Sequence, residues 1–172
     1  MEIQENIVNK VANSGLLTFD LASLKSSAET SVYDIKDNLF HGLILREKDF
    51  REFVKLHDWS TYQGKNVCII CTADAIVPTW AYMLLANRLT PYANEIFFGD
   101  EETFEVILFE RALAKLDLER FRDQRVVVKG CGDIKIPTAA FVNFTSKLSK
   151  VAKSIMYGEP CSTVPIFKRK ST

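Results

Sequence analysis

Apolar positions along the chain fall into two spacings, and the spacing changes partway. Ile3, Ile7, Val8 and Val11 recur every three or four residues and Gly15 follows, which predicts an amphipathic helix over residues 3–14 closed by a glycine. Leu16-Leu17-Thr18-Phe19 and Val32-Tyr33-Asp34-Ile35 read as short strands separated by the serine-rich stretch from Ser23 to Ser31. Leu43-Ile44-Leu45 is either a further strand or the lead into a helix from Glu47 to His57. On that helix Phe50, Phe53, Val54 and His57 share one face. The charges Glu47/Arg51 and Lys48/Glu52, four residues apart, belong to the opposite, solvated face.

From Val67 onward, continuous apolar runs alternate with helical patterns, the signature of parallel strands covered on both faces. The strands are Val67 to Cys71, Glu95 to Phe98 and Val126 to Lys129, and the helices are Thr79 to Leu89, Glu101 to Leu116 and Thr138 to about Val151. The expected fold is therefore α/β: a single domain with a mostly parallel sheet flanked by helices. In this reading residues 1–57 hold the N-terminal helix, short strands and second helix, and 58–100 a first strand-helix-strand unit. A connecting helix spans 101–116, a second such unit 117–159, and a C-terminal strand with a basic tail 160–172.

The two units resemble one another. Shifting the chain by 59 residues without a gap gives ten identities over the 43 positions from Asp58 to Asp100, among them Asp74/Asp133, Pro78/Pro137 and Thr79/Thr138. Roughly three would arise by chance at average residue usage. The shared core is a strand, then Asp-x-x-x-Pro-Thr, then a helix. Proline sets φ without needing an N–H and threonine offers a capping hydroxyl, so Pro-Thr is read as a helix start. The same shift pairs Glu95–Asp100 with Ser154–Glu159 and so predicts a strand over 154–157. Helical spacing of Phe141, Phe144, Leu148, Val151 and Ile155 argues for a longer helix instead. We take the strand. As a strand it delivers Glu159 and Cys161 to the sheet edge where Cys131 and Asp133 emerge; as a helix it would carry Cys161 roughly 20 Å away.

Composition narrows the function. Twenty-two basic and 22 acidic residues cancel, so the field that drives nonspecific binding to nucleic acid or anionic membranes is missing. The first residues lack a secretory pattern and no apolar run approaches the ~20 residues that span a bilayer, which places the protein in the cytoplasm. In a reducing compartment Cys68, Cys71, Cys131 and Cys161 are expected as thiols, metal ligands or redox groups rather than as a disulfide framework.

The chemistry-bearing residues concentrate at the carboxyl ends of the parallel strands, where such sheets bind ligands. Gly130 and Gly132 flank Cys131 and permit a tight turn with close backbone approach, and Lys129 with the following helix start favours a thiolate. Cys131 and Cys161, with Asp133 and Glu159, form a candidate ligand set for zinc or iron, sulfur giving affinity and oxygen completing the shell. The alternative is a redox pair between the two cysteines, or a turn that merely accommodates one. Asp74 and Asp100, with Gly130 and Gly132, are the candidate contacts for a small polar ligand or cofactor. Cys68 and Cys71 lie in a strand, where residues three apart face opposite ways, so both are expected as packing residues. No dinucleotide or phosphate-loop motif is present, since Lys135 stands where a third glycine belongs. His41 and His57 are read as structural, and Trp59, Trp80 and Tyr82 as core.

Three stretches, His41 to Arg51, Ile76 to Tyr82 and Met156-Tyr-Gly-Glu-Pro-Cys-Ser-Thr-Val-Pro165, resemble the bacterial family called domain of unknown function 2480, over nearly the whole chain. The resemblance implies a cytoplasmic protein of Bacteroidetes-type bacteria, with genes near those for iron-sulfur cluster assembly, and hence iron-sulfur assembly proteins as partners. Three functions follow as expectations: a metal- or sulfur-handling accessory protein using the thiolates, a binder or enzyme for a small polar ligand with Asp74 and Asp133, and a noncatalytic interaction or homo-oligomer module.

Overall fold

The computed structural model describes residues 15–130, 132, 134–159 and 161–170. The helix expected over 3–14 lies outside the described residues, as do Cys131 and Asp133. In chain order the elements are β1 (Leu16–Asp20), β2 (Thr30–Asp34), α1 (Glu47–Leu56), β3 (Asn66–Ile70), α2 (Thr79–Leu89), β4 (Glu95–Phe98), α3 (Glu101–Lys115), β5 (Arg125–Lys129), α4 (Thr138–Leu148), β6 (Ser154–Glu159) and β7 (Ser162–Lys168). Among the described residues no helix is long and apolar enough to cross a membrane.

The architecture is mixed α/β, but its strands divide between two mostly parallel sheets rather than forming the one expected. The reason lies in the two short N-terminal strands. β1 pairs with β5, far along the chain, whereas β2 pairs with β3, so each seeds a different sheet. Contacts accordingly gather into two compact units, Ser26–Ile107 and Met1–Lys25 with Leu108–Thr172, the boundary falling inside α3.

In the unit Ser26–Ile107 the sheet order is β2-β3-β4, all parallel. β3 is central and buried over Asn66 to Ile69, as a run of Asn-Val-Cys-Ile demands when both faces are covered. Val67 and Ile69 pack with Phe50 and Val54 of α1 and Leu85 and Leu89 of α2. Asn66 is the buried polar residue here; its amide donates to the Ser26 hydroxyl (3.2 Å) and accepts from Asn94 (2.8 Å), pinning the approaches to β2 and β4. Leu43-Ile44-Leu45 forms no named strand, although Ile44 bridges to Phe40 and Ile76.

In the other unit the order is β1-β5-β6-β7, with only β7 antiparallel. Residues 154–159 are a strand, and the helical stripe ends at Leu148. Pairing with β5 on one side and β7 on the other satisfies their backbone, while Ile155 joins Phe19, Val126 and Phe144 in the core. The registers of the two units correspond: Val67 faces Ile96, and Val126 faces Ile155. Both α2 and α4 start after a proline, but the proline occupies the cap position in extended conformation (Pro78 φ −61°, Pro137 φ −60°) and no side chain caps either helix. The expected threonine cap is therefore absent: the fixed φ of proline suits an extended cap residue, and Thr79 and Thr138 fall inside the first turn, one position too late.

Candidate functional site at the sheet edge

Parallel pairing of β5 with β6 sets Val128 opposite Tyr157, so both strands reach the carboxyl edge together. There the Lys129 ammonium lies 2.9 Å from the Glu159 carboxylate. β6 then turns back as β7, Glu159 pairing with Ser162, and Cys161 sits exposed in this tight hairpin as a free thiol. Gly158 makes the turn possible. Its φ is +122°, and a Cβ there would stand 2.5 Å from the Ser162 carbonyl oxygen.

Gly130 leaves β5 beneath the ring of Phe141 on α4, which would lie 2.3 Å from an added Cβ. Thus the backbone approach that sequence assigned to a ligand is used at Gly130 by a phenylalanine. Gly132 is exposed. Of the four residues expected to bind metal, Glu159 and Cys161 stand at this edge, and Cys131 and Asp133 lie outside the described residues. Among the described residues no group of three or more His, Cys, Asp or Glu is poised to hold a metal.

Asp74 and Asp100 belong to the other unit. Asp74 is exposed in the loop between β3 and α2. Asp100 opens α3, its carboxylate accepting from the Thr103 amide (2.8 Å) and hydroxyl (3.0 Å), bonds that hold it below the usual carboxylate range. Sequence reasoning missed Asp34, at the carboxyl end of β2. Its carboxylate accepts from the Lys36 amide (3.0 Å), the Thr72 amide (3.1 Å) and the Thr72 hydroxyl, with the Lys36 ammonium 3.2 Å away. Desolvation pushes this acid up, but the hydrogen bonds, the Thr72 hydroxyl foremost, outweigh it and bring its pKa to about 2. An Asp closing a strand two residues before an unpaired amide was the available signal.

The remaining cysteines behave as packing residues. Cys68 is fully buried, and burial above all, with the charges of Glu101 and Asp100, pushes its thiol up to about 11. Cys71 is half-buried and its thiol donates to the Ala73 carbonyl at 3.5 Å. A groove of about 660 Å³ runs along α4 and β6, with Phe141, Val142, Tyr157 and Ile166 in its walls; among the described residues no thiol or carboxylate lines it.

These features define a class: an α/β protein of two mostly parallel sheets with a lysine-glutamate pair and a hairpin thiol at one carboxyl edge. The chain belongs to the family described as protein of unknown function (DUF2480), which it matches over residues 5–169. Searches of curated proteins and of solved structures give no match.

Proposed function

We propose that the chain is a metal- or sulfur-handling accessory protein that works through thiols at the carboxyl edge of its four-stranded sheet. Cys161 and Cys131 supply sulfur, Asp133 and Glu159 supply oxygen, and Lys129 favours the thiolate form by its charge. The observation that carries this reading is the parallel pairing of β5 with β6, which brings the Glu159–Cys161 turn out beside the Gly130 end of β5. Zinc or iron(II) suits such a mixed set, and iron-sulfur assembly proteins in the cytoplasm are the partners in keeping with it.

In this reading the two units repeat one strand-(Asp-x-x-x-Pro-Thr)-helix-strand device. Where the first has Cys71-Thr72-Ala73-Asp74, the second has Gly130-Cys131-Gly132-Asp133, so the thiol moves by one position into a glycine-flanked turn. The device became a site in one copy only. Metal analysis of untagged, anaerobically purified protein tests the proposal, beside Cys131→Ser and Cys161→Ser. Zinc or iron should be retained by the wild type and lost in both variants. Protein free of metal, with both thiols alkylating no faster than free cysteine, overturns it.

A second reading rests on a different surface. Phe40, Leu43, Ile44 and Ile76 are all exposed, Ile76 at 93%, and Ile44 bridges to both Phe40 and Ile76. Such an apolar patch favours an interaction or homo-oligomer module. Sedimentation across a range of concentrations, with Ile76→Ser for comparison, separates the two: self-association abolished by the variant supports the module, and a concentration-independent monomer removes its homo-oligomer form.

A further inference from the structure

The unit Ser26–Ile107 holds a cavity of about 320 Å³ that the thiol site does not use. Half of the residues in its walls carry rings, and these come from three elements: Tyr33 from β2, Phe53 and His57 from the end of α1, and Tyr62 from the turn before β3; Asp37 and Asn38 come from the 3-10 turn Ile35–Asn38. The His57 ring centroid lies 5.0 Å from that of Phe53 and 6.2 Å from that of Tyr62, and Tyr33 lies 6.3 Å from Tyr62. Trp59 supports the rings from behind, 4.6 Å from His57 and 5.9 Å from Tyr33.

Among the described residues, the carboxylates lining this cavity, Asp34 and Asp37, face no lining lysine or arginine. Lys36 turns its ammonium to Asp34, which leaves Asp37 as the carboxylate not matched by that cation. The Tyr33 hydroxyl donates to the Asn38 side-chain oxygen at 2.6 Å, which ties these two lining residues together. His57 Nε2 is buried without a hydrogen-bond partner, a loss that a phenylalanine at this position would avoid.

Electron-rich faces around a small space, with a carboxylate at the rim, attract a desolvated positive charge when the ring centroids lie within about 6 Å of it. The volume, about 320 Å³, sits at the lower end of the ~300–1,000 Å³ of ligand pockets and has room for an occupant of choline's size. We propose that this cavity binds a small organic cation of the ammonium class among the rings of Tyr33, Phe53 and Tyr62, with Asp37 as counter-charge. The inference is independent of the thiol proposal, since it uses other residues in the other unit.

Choline and its uncharged carbon isostere, dimethylbutanol, are the probes, titrated into the full chain while the ring resonances of His57 and Tyr62 are followed. Choline should shift both saturably, and the isostere should bind at least roughly tenfold more weakly because it fills the same space without charge. Tyr62→Leu and Asp37→Asn should each weaken choline by about tenfold; Asp37 is exposed, so its variant keeps the fold if the tyrosine variant does not. Equal affinity for probe and isostere, no saturable shift, or unchanged choline affinity in Asp37→Asn overturns the proposal.

Discussion

Lys129 and Glu159 meet at 2.9 Å across neighbouring parallel strands, each the last residue of its strand. Their side chains are 30% and 42% exposed, so solvent screens the pair and breaking it costs little, about 0–1 kcal/mol. Its consequence is competitive: Glu159 already has a cation. At a pH high enough to ionise the thiols without its charge, Lys129→Met should release that carboxylate and tighten zinc binding at the edge, whereas Glu159→Gln should loosen it, with small changes in the urea midpoint for both. Calorimetric zinc titration distinguishes them; identical affinity in the two variants would remove Glu159 from the ligand set.

The thiols should differ in reactivity according to burial. Cys161 is exposed at a hairpin tip, while Cys68 is buried with its ionisation pushed to about 11. In a Cys131→Ser background a disulfide reagent at neutral pH should label Cys161 first, Cys71 more slowly and Cys68 only on unfolding. Mass spectrometry of timed samples reads the order. Native labelling of Cys68 at the rate of Cys161 would mean that β3 opens readily.

Gly130 lies against an aromatic ring. A Cβ there would come within 2.3 Å of Phe141, whose ring also packs edge-on against Tyr157 at 5.7 Å. Gly130→Ala should therefore cost about 1–3 kcal/mol by overpacking. Adding Phe141→Leu should recover part of that loss, a coupling visible in a double-mutant cycle of urea unfolding. A neutral Gly130→Ala would show that the ring moves aside freely.

Periodicity located most elements because the described helices and strands obey their own spacing. α2 and β4 have the expected bounds, and α1, α3, β3 and β5 differ from expectation by a residue or so. The β6 strand was legible only by comparing the units, since Phe141, Phe144, Leu148, Val151 and Ile155 satisfy helical spacing as well. Partition into two sheets was not legible, because pairing of Phe19 with Val128 and of Tyr33 with Ile69 depends on contacts far apart in sequence. Of the candidate site, the strand that ends at Glu159 was legible, but the lysine partner of Glu159 could not be foreseen. The aromatic cavity escaped notice since its rings are spread over three elements and each alone reads as core.

Asp34 should shape the acid limb of stability. Its pKa is about 2, below the ordinary carboxylate range near 4, because Thr72 and Lys36 hydrogen-bond the ionised form more strongly than desolvation opposes it. A depressed acid stabilises the fold above its unfolded pKa, and that contribution is lost as pH falls from about 4 through about 2. Asp34→Asn should lower stability by about 1 kcal/mol at neutral pH, discounted for solvent around the group, and should flatten the pH dependence in that window. Thr72→Val removes the hydroxyl bond while keeping the amide bond, so its effect should be smaller and of the same sign. Urea midpoints at a series of pH values give the test: parallel acid limbs for wild type and Asp34→Asn would show that Asp34 titrates alike folded and unfolded, leaving its bonds to Thr72 without energetic weight.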